Sequence, residues 1–245
     1  MRLRRPLIAL ALALPFGLLA GLVAAGTASS ADALVGQGRQ LFVTGCASCH
    51  GLDAHGIAGS GPSLVGVGAQ AADFYLSTGR MPLAAPSDAP MRKPPAYSQT
   101  RIAALTAYIG SLGGPPVPTV GIHTDPAAGM RAFTDSCAGC HGVLARGGVV
   151  TGGVAPSLLA ATPRQIVEAI RVGPYLMPHY SRRQIDDATA SAIAGYVVST
   201  RHPDDRGGWG IGHLGPVPEG MVAWLVGAAS LLLVARVLGE RSEDA

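Results

Sequence analysis

The chain has 245 residues, of which 48% are hydrophobic and 13% charged, and its formal net charge at pH 7 is +3. A charge this close to zero predicts no strongly basic face, which argues against nucleic-acid binding. The 34 glycines and 19 prolines predict many turns, but they lack the strict period of a collagen-like chain.

The N-terminal segment, residues 1–30, is predicted to direct the chain to a membrane. Three arginines within the first five residues precede an apolar run from Leu7 to Ala25. Positive charge before such a run holds the start in the cytoplasm and sends the following residues across the membrane. The run is longer than a usual signal core and about as long as a spanning helix. The segment is therefore either a signal sequence or an uncleaved anchor.

All four cysteines fall in two Cys-x-x-Cys-His motifs, Cys46-Ala-Ser-Cys49-His50 and Cys137-Ala-Gly-Cys140-His141. This spacing puts two thiols about one helical turn apart, which suits thioether bonds to the two vinyl groups on one porphyrin edge. The adjoining histidine would then be the proximal iron ligand. Two alternatives are a structural zinc site, which would give the histidines no role, and a redox dithiol, which need not occur twice. The full pattern predicts covalent attachment of two haem c groups.

The middle of the chain contains one unit twice, with the two haem motifs 91 residues apart. The matched landmarks are Gly38 and Gly129, Phe42 and Phe133, Pro62 and Pro156, and the Met-Pro pairs at Met81 and Met177. The repeat predicts a first domain over residues 31–114 and a second over 124–206. The proline-rich segment 115–123 is predicted to be a stiff linker between them.

Short helices are predicted around these landmarks, and no convincing strand pair is found, so the fold class is all-α. Asp125 followed by Pro126 is a cap and first-turn pair. Thr162 and Gln165 form a capping-box pattern, and Gly173 can end the helix that they open. Apolar residues at helical spacing predict one helix face after residue 100; they are Ile102, Leu105, Ile109 and Leu112.

The C-terminal segment is predicted to be a membrane anchor. Residues 207–220 are rich in glycine and proline and form a linker to an apolar stretch over 221–239 that is long enough to cross a bilayer. Trp224 suits one interface, and Arg236 can extend its charge to the other. Residues 240–245 are then a cytoplasmic tail. Because haem c is normally attached outside the cytoplasm, both haem domains are expected on the extracytoplasmic side of the plasma membrane.

A sixth iron ligand distinguishes an electron carrier from a catalyst. Histidine with methionine closes the iron to substrates and raises its reduction potential, whereas an open position would bind peroxide or oxygen. Met81 and Met177 each precede a proline at matching places in the repeats and are the predicted ligands. Met91 remains an alternative to Met81 at the first haem. The other histidines lie in loops and connecting segments, where a solvated side chain is the ordinary expectation.

The two units resemble the class I cytochrome c domain over most of residues 32–112 and 124–202. In that family the helix that ends in the haem motif crosses a C-terminal helix at a contact between glycine and an aromatic residue. The resemblance implies that Gly38 and Phe42 meet the helix that carries Tyr108, and that Gly129 and Phe133 meet the helix that carries Tyr196. It also implies that the backbone carbonyls of Pro62 and Pro156 accept a hydrogen bond from Nδ1–H of the proximal histidine.

The whole layout resembles the dihaem cytochrome c subunit of the actinobacterial cytochrome bc complex, a menaquinol–cytochrome c reductase. The segments that carry the resemblance are Ser77-Thr-Gly-Arg-Met-Pro82, Arg92-Lys-Pro-Pro95, Met177-Pro178 and Gly215-Pro-Val-Pro-Glu-Gly-Met221. The family implies that a cytochrome b subunit oxidises menaquinol, that a Rieske iron–sulfur subunit takes one electron, and that this chain passes it to a haem–copper terminal oxidase. The chain would be an electron-transfer subunit of this enzyme and not catalytic alone.

Three alternatives share some of these motifs. A stand-alone anchored dihaem shuttle would have every one of them and differ only in its partners. A cytochrome subunit of a periplasmic dehydrogenase would lack an associated cytochrome b. A dihaem peroxidase would need one iron with an open or displaceable ligand, and the paired Met-Pro landmarks argue against it.

Overall fold

The computed structural model describes residues 30–121, 125–202 and 216–243. The predicted N-terminal segment therefore lies outside the described residues except for Ser30, as does most of the linker at 207–220. The regular elements of the described residues are helices and one short hairpin. Its elements are α1 (residues 30–45), α2 (Ala47–His50), α3 (Gly68–Ser77), α4 (Gln99–Ser111), α5 (Pro126–Ser136), α6 (Ala138–His141), β1 (Gly148–Val150), β2 (Gly153–Ala155), α7 (Pro163–Val172), α8 (Asp187–Ser199) and α9 (Pro216–Glu243).

Three predicted helix boundaries are confirmed. The Asp125 side chain accepts a hydrogen bond from the Ala127 amide and caps α5, with proline in the first turn. Thr162 and Gln165 form the reciprocal capping box that opens α7. Gly173 ends α7 in the left-handed conformation, at φ 62°.

The prediction that the chain has no strand pair is wrong at one place. Strands β1 and β2 pair antiparallel, with Val149 opposite Val154. The hairpin occupies an insertion in the second repeat, where His141 and Pro156 are 15 residues apart and the matching His50 and Pro62 are 12 apart. Three-residue strands are too short to show an alternating sequence pattern, which is why the hairpin was not predicted.

A close helix crossing organises the first repeat. A Cβ at Gly38 would collide with the carbonyl of Ala104, so only glycine lets α1 approach α4 this closely. One turn later the rings of Phe42 and Tyr108 lie 5.2 Å apart, which confirms the predicted contact. The buried core around the crossing comprises Phe42, Ala47, Ala54, Leu76, Ile102, Leu105, Tyr108 and Ile109.

The second repeat has the same crossing between α5 and α8. A Cβ at Gly129 would collide with the carbonyl of Ala192, and the rings of Phe133 and Tyr196 lie 5.4 Å apart. The Tyr196 hydroxyl also donates a 2.8 Å hydrogen bond to the carbonyl of Val143. The predicted contact is therefore confirmed in the second repeat as well.

Packing groups the chain differently from the repeat. The first packing unit comprises Met1–Ile122 with Ala161–Ser191, and the second comprises His123–Ala160 with Ala192–Ala245. Within the first unit α7 packs on α3, where Gln165 donates a 3.1 Å hydrogen bond to the Ser77 hydroxyl. Helix α7 belongs by sequence to the second repeat and by packing to the first unit. The boundaries at 31–114 and 124–206 stay a prediction from the repeat.

Helix α9 is apolar and exposed. Val217–Gly239 is the one candidate for a membrane span among the described residues, with a mean hydropathy of 2.1 and none of its apolar window buried. The helix begins at Pro216, earlier than the predicted start at residue 221, because proline is well tolerated in the first turn of a helix. The predicted C-terminal apolar helix is confirmed.

The crossing at Gly38 yields a mutational prediction. Gly38→Ala should destabilise the first repeat by about 1–3 kcal/mol, the usual cost of overpacking a tight contact, and should lower the yield of haem-loaded protein. Gly36→Ala is the matched control on the same helix, because a Cβ there meets nothing within 4 Å. Denaturant unfolding of the two purified variants checks this. Equal stability of both variants would contradict the close crossing.

A buried carboxyl in the contact between α3 and α7 makes stability depend on pH. Glu168, on α7, is fully buried. Burial, together with the adjacent Asp73 carboxyl, raises the pKa of Glu168 to about 9. The folded protein therefore holds a proton that the unfolded chain releases above its ordinary pKa of 4.5. This stabilisation is complete below pH 4.5 and is lost as the pH rises towards 9.

Glu168→Gln should remove this pH dependence. Glutamine stays neutral at every pH, so the variant should be more stable than the parent at pH 8. The free energy of unfolding should differ by about 1.4 kcal/mol for each pH unit above 4.5. Thermal unfolding in mild detergent at pH 5, 6.5 and 8 measures the difference. Asp135→Asn, at an exposed carboxylate on α5, is the control. Parallel pH profiles for parent and Glu168→Gln would show that Glu168 does not hold the proton.

Candidate functional site: the two Cys-x-x-Cys-His centres

Each haem motif begins where a long helix ends. The Cys46 amide donates a 2.8 Å hydrogen bond to the Phe42 carbonyl, and the His50 amide donates a 3.0 Å bond to the Cys46 carbonyl. The motif is thus fixed one turn beyond the phenylalanine at the crossing, and Cys46 packs against the same core. The predicted cysteine pair and histidine are brought together, with Cys49 and His50 on α2 and Cys46 directly before it.

The second centre repeats this backbone almost bond for bond. The Cys137 amide donates to the Phe133 carbonyl at 2.8 Å, and the His141 amide donates to the Cys137 carbonyl at 2.9 Å. Cys140 and His141 therefore lie on the short helix α6, and Cys137 is the residue directly before it. A turn with the same hydrogen bonds follows both histidines, since the amides of Gly56 and Gly147 donate to the carbonyls of His50 and His141 at 2.8 Å each.

Both histidines are oriented by a proline carbonyl. Nδ1 of His50 lies 2.8 Å from the carbonyl oxygen of Pro62, and Nδ1 of His141 lies 3.0 Å from that of Pro156. Because a carbonyl can only accept, Nδ1 carries the proton and Nε2 keeps its lone pair. This is the tautomer and orientation that a metal-ligating histidine takes. The contact implied by the class I resemblance is present in both repeats.

Burial controls the charge of these groups. Burial lowers the pKa of His141, although its bond to Pro156 opposes the shift, so the neutral imidazole is favoured. Burial, and then the neighbouring thiol, raises the pKa of Cys46 and raises that of Cys137 to about 11. The Cys46 and Cys137 thiols thus stay protonated at neutral pH, and all four cysteines are free of disulfides. Two free thiols beside an imidazole that is oriented by a proline carbonyl fit covalent haem c attachment with one nitrogen ligand.

The methionines differ in their surroundings. Met81 is half-buried and packs against the first core, as Cys46 does, whereas Met91 is 48% exposed. Met177 is half-buried in the loop after α7 and lies in the first packing unit, whereas His141 belongs to the second. The structure thus brings Met81 to the core of its own motif. The pairing of Met177 with His141, and the choice of Met81 over Met91, stay predictions.

The remaining described histidines are exposed. His55 contacts the neighbouring Asp53, and His179 and His202 lie at the surface. His123 and His213 lie outside the described residues. The ordinary expectation of solvated loop side chains holds for the three that are described.

Two buried arginines near the methionines were not predicted. Arg80 is 9% exposed, and burial lowers the pKa of its guanidinium. The side chain of Arg171 is 5% exposed and makes a 2.7 Å ion pair with Asp187. Of the two, only Arg80 could have been singled out from the sequence, because it directly precedes Met81. Arginine at a helix end gives no comparable sign that its side chain turns inward.

Two family models match the chain. The model "Cytochrome c" matches residues 35–113, and "Cytochrome C oxidase, cbb3-type, subunit III" matches residues 124–197. Each match contains one Cys-x-x-Cys-His motif. The prediction of two cytochrome c domains in an all-α fold is confirmed.

Whole-chain relatives agree with the domain matches. The chain is 36% identical to the cytochrome bc1 complex cytochrome c subunit of Corynebacterium diphtheriae, over 86% of this chain and 82% of the relative. It is 38% identical to the subunit of the same name in Mycobacterium bovis, over 87% and 80%. The cbb3-type cytochrome c oxidase subunit CcoP of Azospirillum is 30% identical over 65% of this chain and 60% of that one. The chain belongs to the family of cytochrome bc1 complex cytochrome c subunits.

Proposed function

We propose that this chain is the dihaem electron carrier of a quinol–cytochrome c reductase. It would accept electrons from a Rieske iron–sulfur subunit that works beside a quinol-oxidising cytochrome b, and would deliver them to a haem–copper terminal oxidase. The observation that carries the proposal is the repeated motif with its histidine already oriented on Pro62 or Pro156, in a chain whose relatives are named subunits of this complex along most of their length.

The chain supplies the residues that would attach and ligate each haem. Cys46 with Cys49, and Cys137 with Cys140, would hold two haem c groups by thioether bonds. His50 and His141 would each offer Nε2 to an iron, and Met81 and Met177 would each offer a thioether sulfur. Haem with these ligands supplies one-electron exchange at a raised potential. The proline carbonyls keep each imidazole fixed and thereby limit rearrangement between oxidation states.

Membrane anchoring supports the role of a carrier inside a complex. The exposed apolar helix α9 is long enough to span a bilayer, and the haem domains would lie on the extracytoplasmic side. A tethered carrier meets its partners at a high effective concentration and needs no long-range charge to steer it from solution. The formal charge of +3 over 245 residues is consistent with this arrangement.

The link to an oxidase has separate support. The second domain matches the model of an oxidase subunit, and one relative carries an oxidase name. These likenesses favour a direct transfer to a haem–copper oxidase over release of electrons to a soluble carrier. An anchored shuttle without fixed partners, or the cytochrome of a periplasmic dehydrogenase, remains as the competing function.

Purification of the intact complex tests the proposed function. Extraction of a tagged full-length chain in mild detergent should yield c-type, b-type and oxidase haem together, with a Rieske protein. Redox difference spectra and haem-stained gels measure these components. Co-purification of b-type haem without an oxidase would support the reductase and overturn the direct oxidase link. A pure c-type spectrum without partners would favour the anchored shuttle.

Substitution of the methionines tests the ligand assignment. Met81→Ala and Met177→Ala should each lower the reduction potential of one haem and allow carbon monoxide to bind its reduced iron, because the sixth position is opened. Reduced-minus-carbon-monoxide spectra and redox titrations of the holoprotein measure both effects. Met91→Ala is the control for the first haem and should leave both values at those of the parent. Carbon monoxide binding in Met91→Ala and not in Met81→Ala would reverse the assignment.

A further inference from the structure

Each predicted methionine ligand lies in a loop that follows one of the two paired helices. The first methionine loop, residues 78–93, leaves the end of α3 and contains Met81. The second methionine loop, residues 173–185, leaves the end of α7 and contains Met177. Neither loop has regular secondary structure, so other contacts must fix the position of its methionine.

Arg80 closes the first methionine loop. Its guanidinium donates a 2.6 Å hydrogen bond to the carbonyl of Pro90, ten residues further along the chain. The same group lies over the Phe74 ring on α3, 5.3 Å from the ring centre. At the base of the loop the Lys93 amide donates to the Thr78 carbonyl at 3.1 Å. The two ends of the loop are therefore joined to each other and to α3.

This closure fixes which methionine faces the core. The Met81 amide, next to Arg80, donates to the Tyr75 carbonyl at 3.1 Å, and its side chain packs against the first core. Met91 follows Pro90 directly and is exposed. With Pro90 held by Arg80, Met81 is kept inside and Met91 outside.

Arg171 closes the second methionine loop from a different position. From the last turn of α7 it donates hydrogen bonds to the carbonyls of Tyr180 at 3.2 Å and Ile185 at 2.6 Å, and it pairs with Asp187. The Tyr180 amide also returns to the Ile170 carbonyl at 2.8 Å. The chain on the far side of Met177 is thus joined to α7.

The two arginines are not copies of one another. The residue directly before Met177, in the place that Arg80 has before Met81, is Leu176, which is 53% exposed. Both repeats nevertheless place one buried guanidinium on the backbone carbonyls of the methionine loop. Burying a cation is costly unless its donors are used, and a planar guanidinium can address carbonyls from several directions at once. The shared feature is loop closure, reached by two routes.

We propose that Arg80 and Arg171 are positioning residues that hold Met81 and Met177, respectively, as iron ligands by keeping each methionine loop closed. The inference rests on the proposed function, because it takes the two methionines as the sixth ligands. Neither arginine is itself assigned a contact with the iron.

Carbon monoxide binding by the reduced, full-length holoprotein in detergent tests the proposal. Arg80→Ala and Arg171→Ala should each raise the carbon monoxide-bound fraction at one haem about tenfold, the effect of losing a charge-assisted hydrogen bond that keeps the loop closed. Combination with the methionine variants identifies the haem. Met81→Ala should add no second binding site to Arg80→Ala, whereas Met177→Ala should add one, and the reverse should hold for Arg171→Ala.

Two neighbouring arginines serve as matched controls. Arg92→Ala removes a cation from the first methionine loop without breaking the bond to Pro90. Arg182→Ala removes a second ion-pair partner of Asp187 without touching the carbonyls of Tyr180 or Ile185. Both controls should bind carbon monoxide no more than the parent does.

The outcomes separate the inference from the ligand assignment. If Met81→Ala binds carbon monoxide and Arg80→Ala binds no more than Arg92→Ala, the positioning role of Arg80 is overturned and the ligand stands. If Met81→Ala itself does not bind, the ligand assignment fails and the inference fails with it. The same comparison applies to Arg171, Arg182 and Met177.

A conservative variant covers the case in which an alanine variant yields no holoprotein. Arg80→Lys keeps the charge but not the planar fork, so it should bind carbon monoxide more than the parent does. A lysine variant that behaves as the parent would show that charge alone suffices and would overturn the proposed closure by the guanidinium.

Discussion

The fold depends on two places where a helix backbone approaches another without an intervening side chain. At Gly38 and Gly129 the helix that leads to a haem motif lies directly against a later helix, on the carbonyls of Ala104 and Ala192. The crossing sets the depth of the phenylalanine one turn further on. The phenylalanine carbonyl in turn receives the amide of the first motif cysteine. The absence of a Cβ at each of these glycines thus determines the position of the thiol pair and the histidine that follow it.

The features predicted correctly from the sequence are those that depend on a few residues close together in the chain. The cap at Asp125, the capping box at Thr162 and the left-handed Gly173 each follow from a few adjacent residues. The proline carbonyl contact could be anticipated only through the resemblance to class I cytochromes, because 12 residues in one repeat and 15 in the other separate the partners. Spacing alone does not reveal which backbone oxygen a histidine will meet.

The features that escaped prediction depend on contacts between distant segments. The hairpin at 148–155 has strands too short for a periodic signal. The burial of Glu168 and of Arg171 follows from how α7 packs and where its last turn points, and neither residue type is ordinarily found inside. Both are polar side chains within an amphipathic helix. The sequence pattern shows which face of the helix is apolar, but it does not show how deeply a polar side chain beside that face is buried. Their burial could be found only from the three-dimensional arrangement.

The position of α7 has a consequence for where the chain can be divided. A duplicated domain can usually be cut from its twin at the linker, and each half keeps its own fold. Here residues 161–191 complete the packing unit that begins with the first repeat, through Gln165 on Ser77 and the fully enclosed Glu168. A fragment that stops at the proline-rich linker would therefore leave one flank of α3 bare. Truncation at the linker therefore removes a helix that belongs, by packing, to the unit of the first repeat.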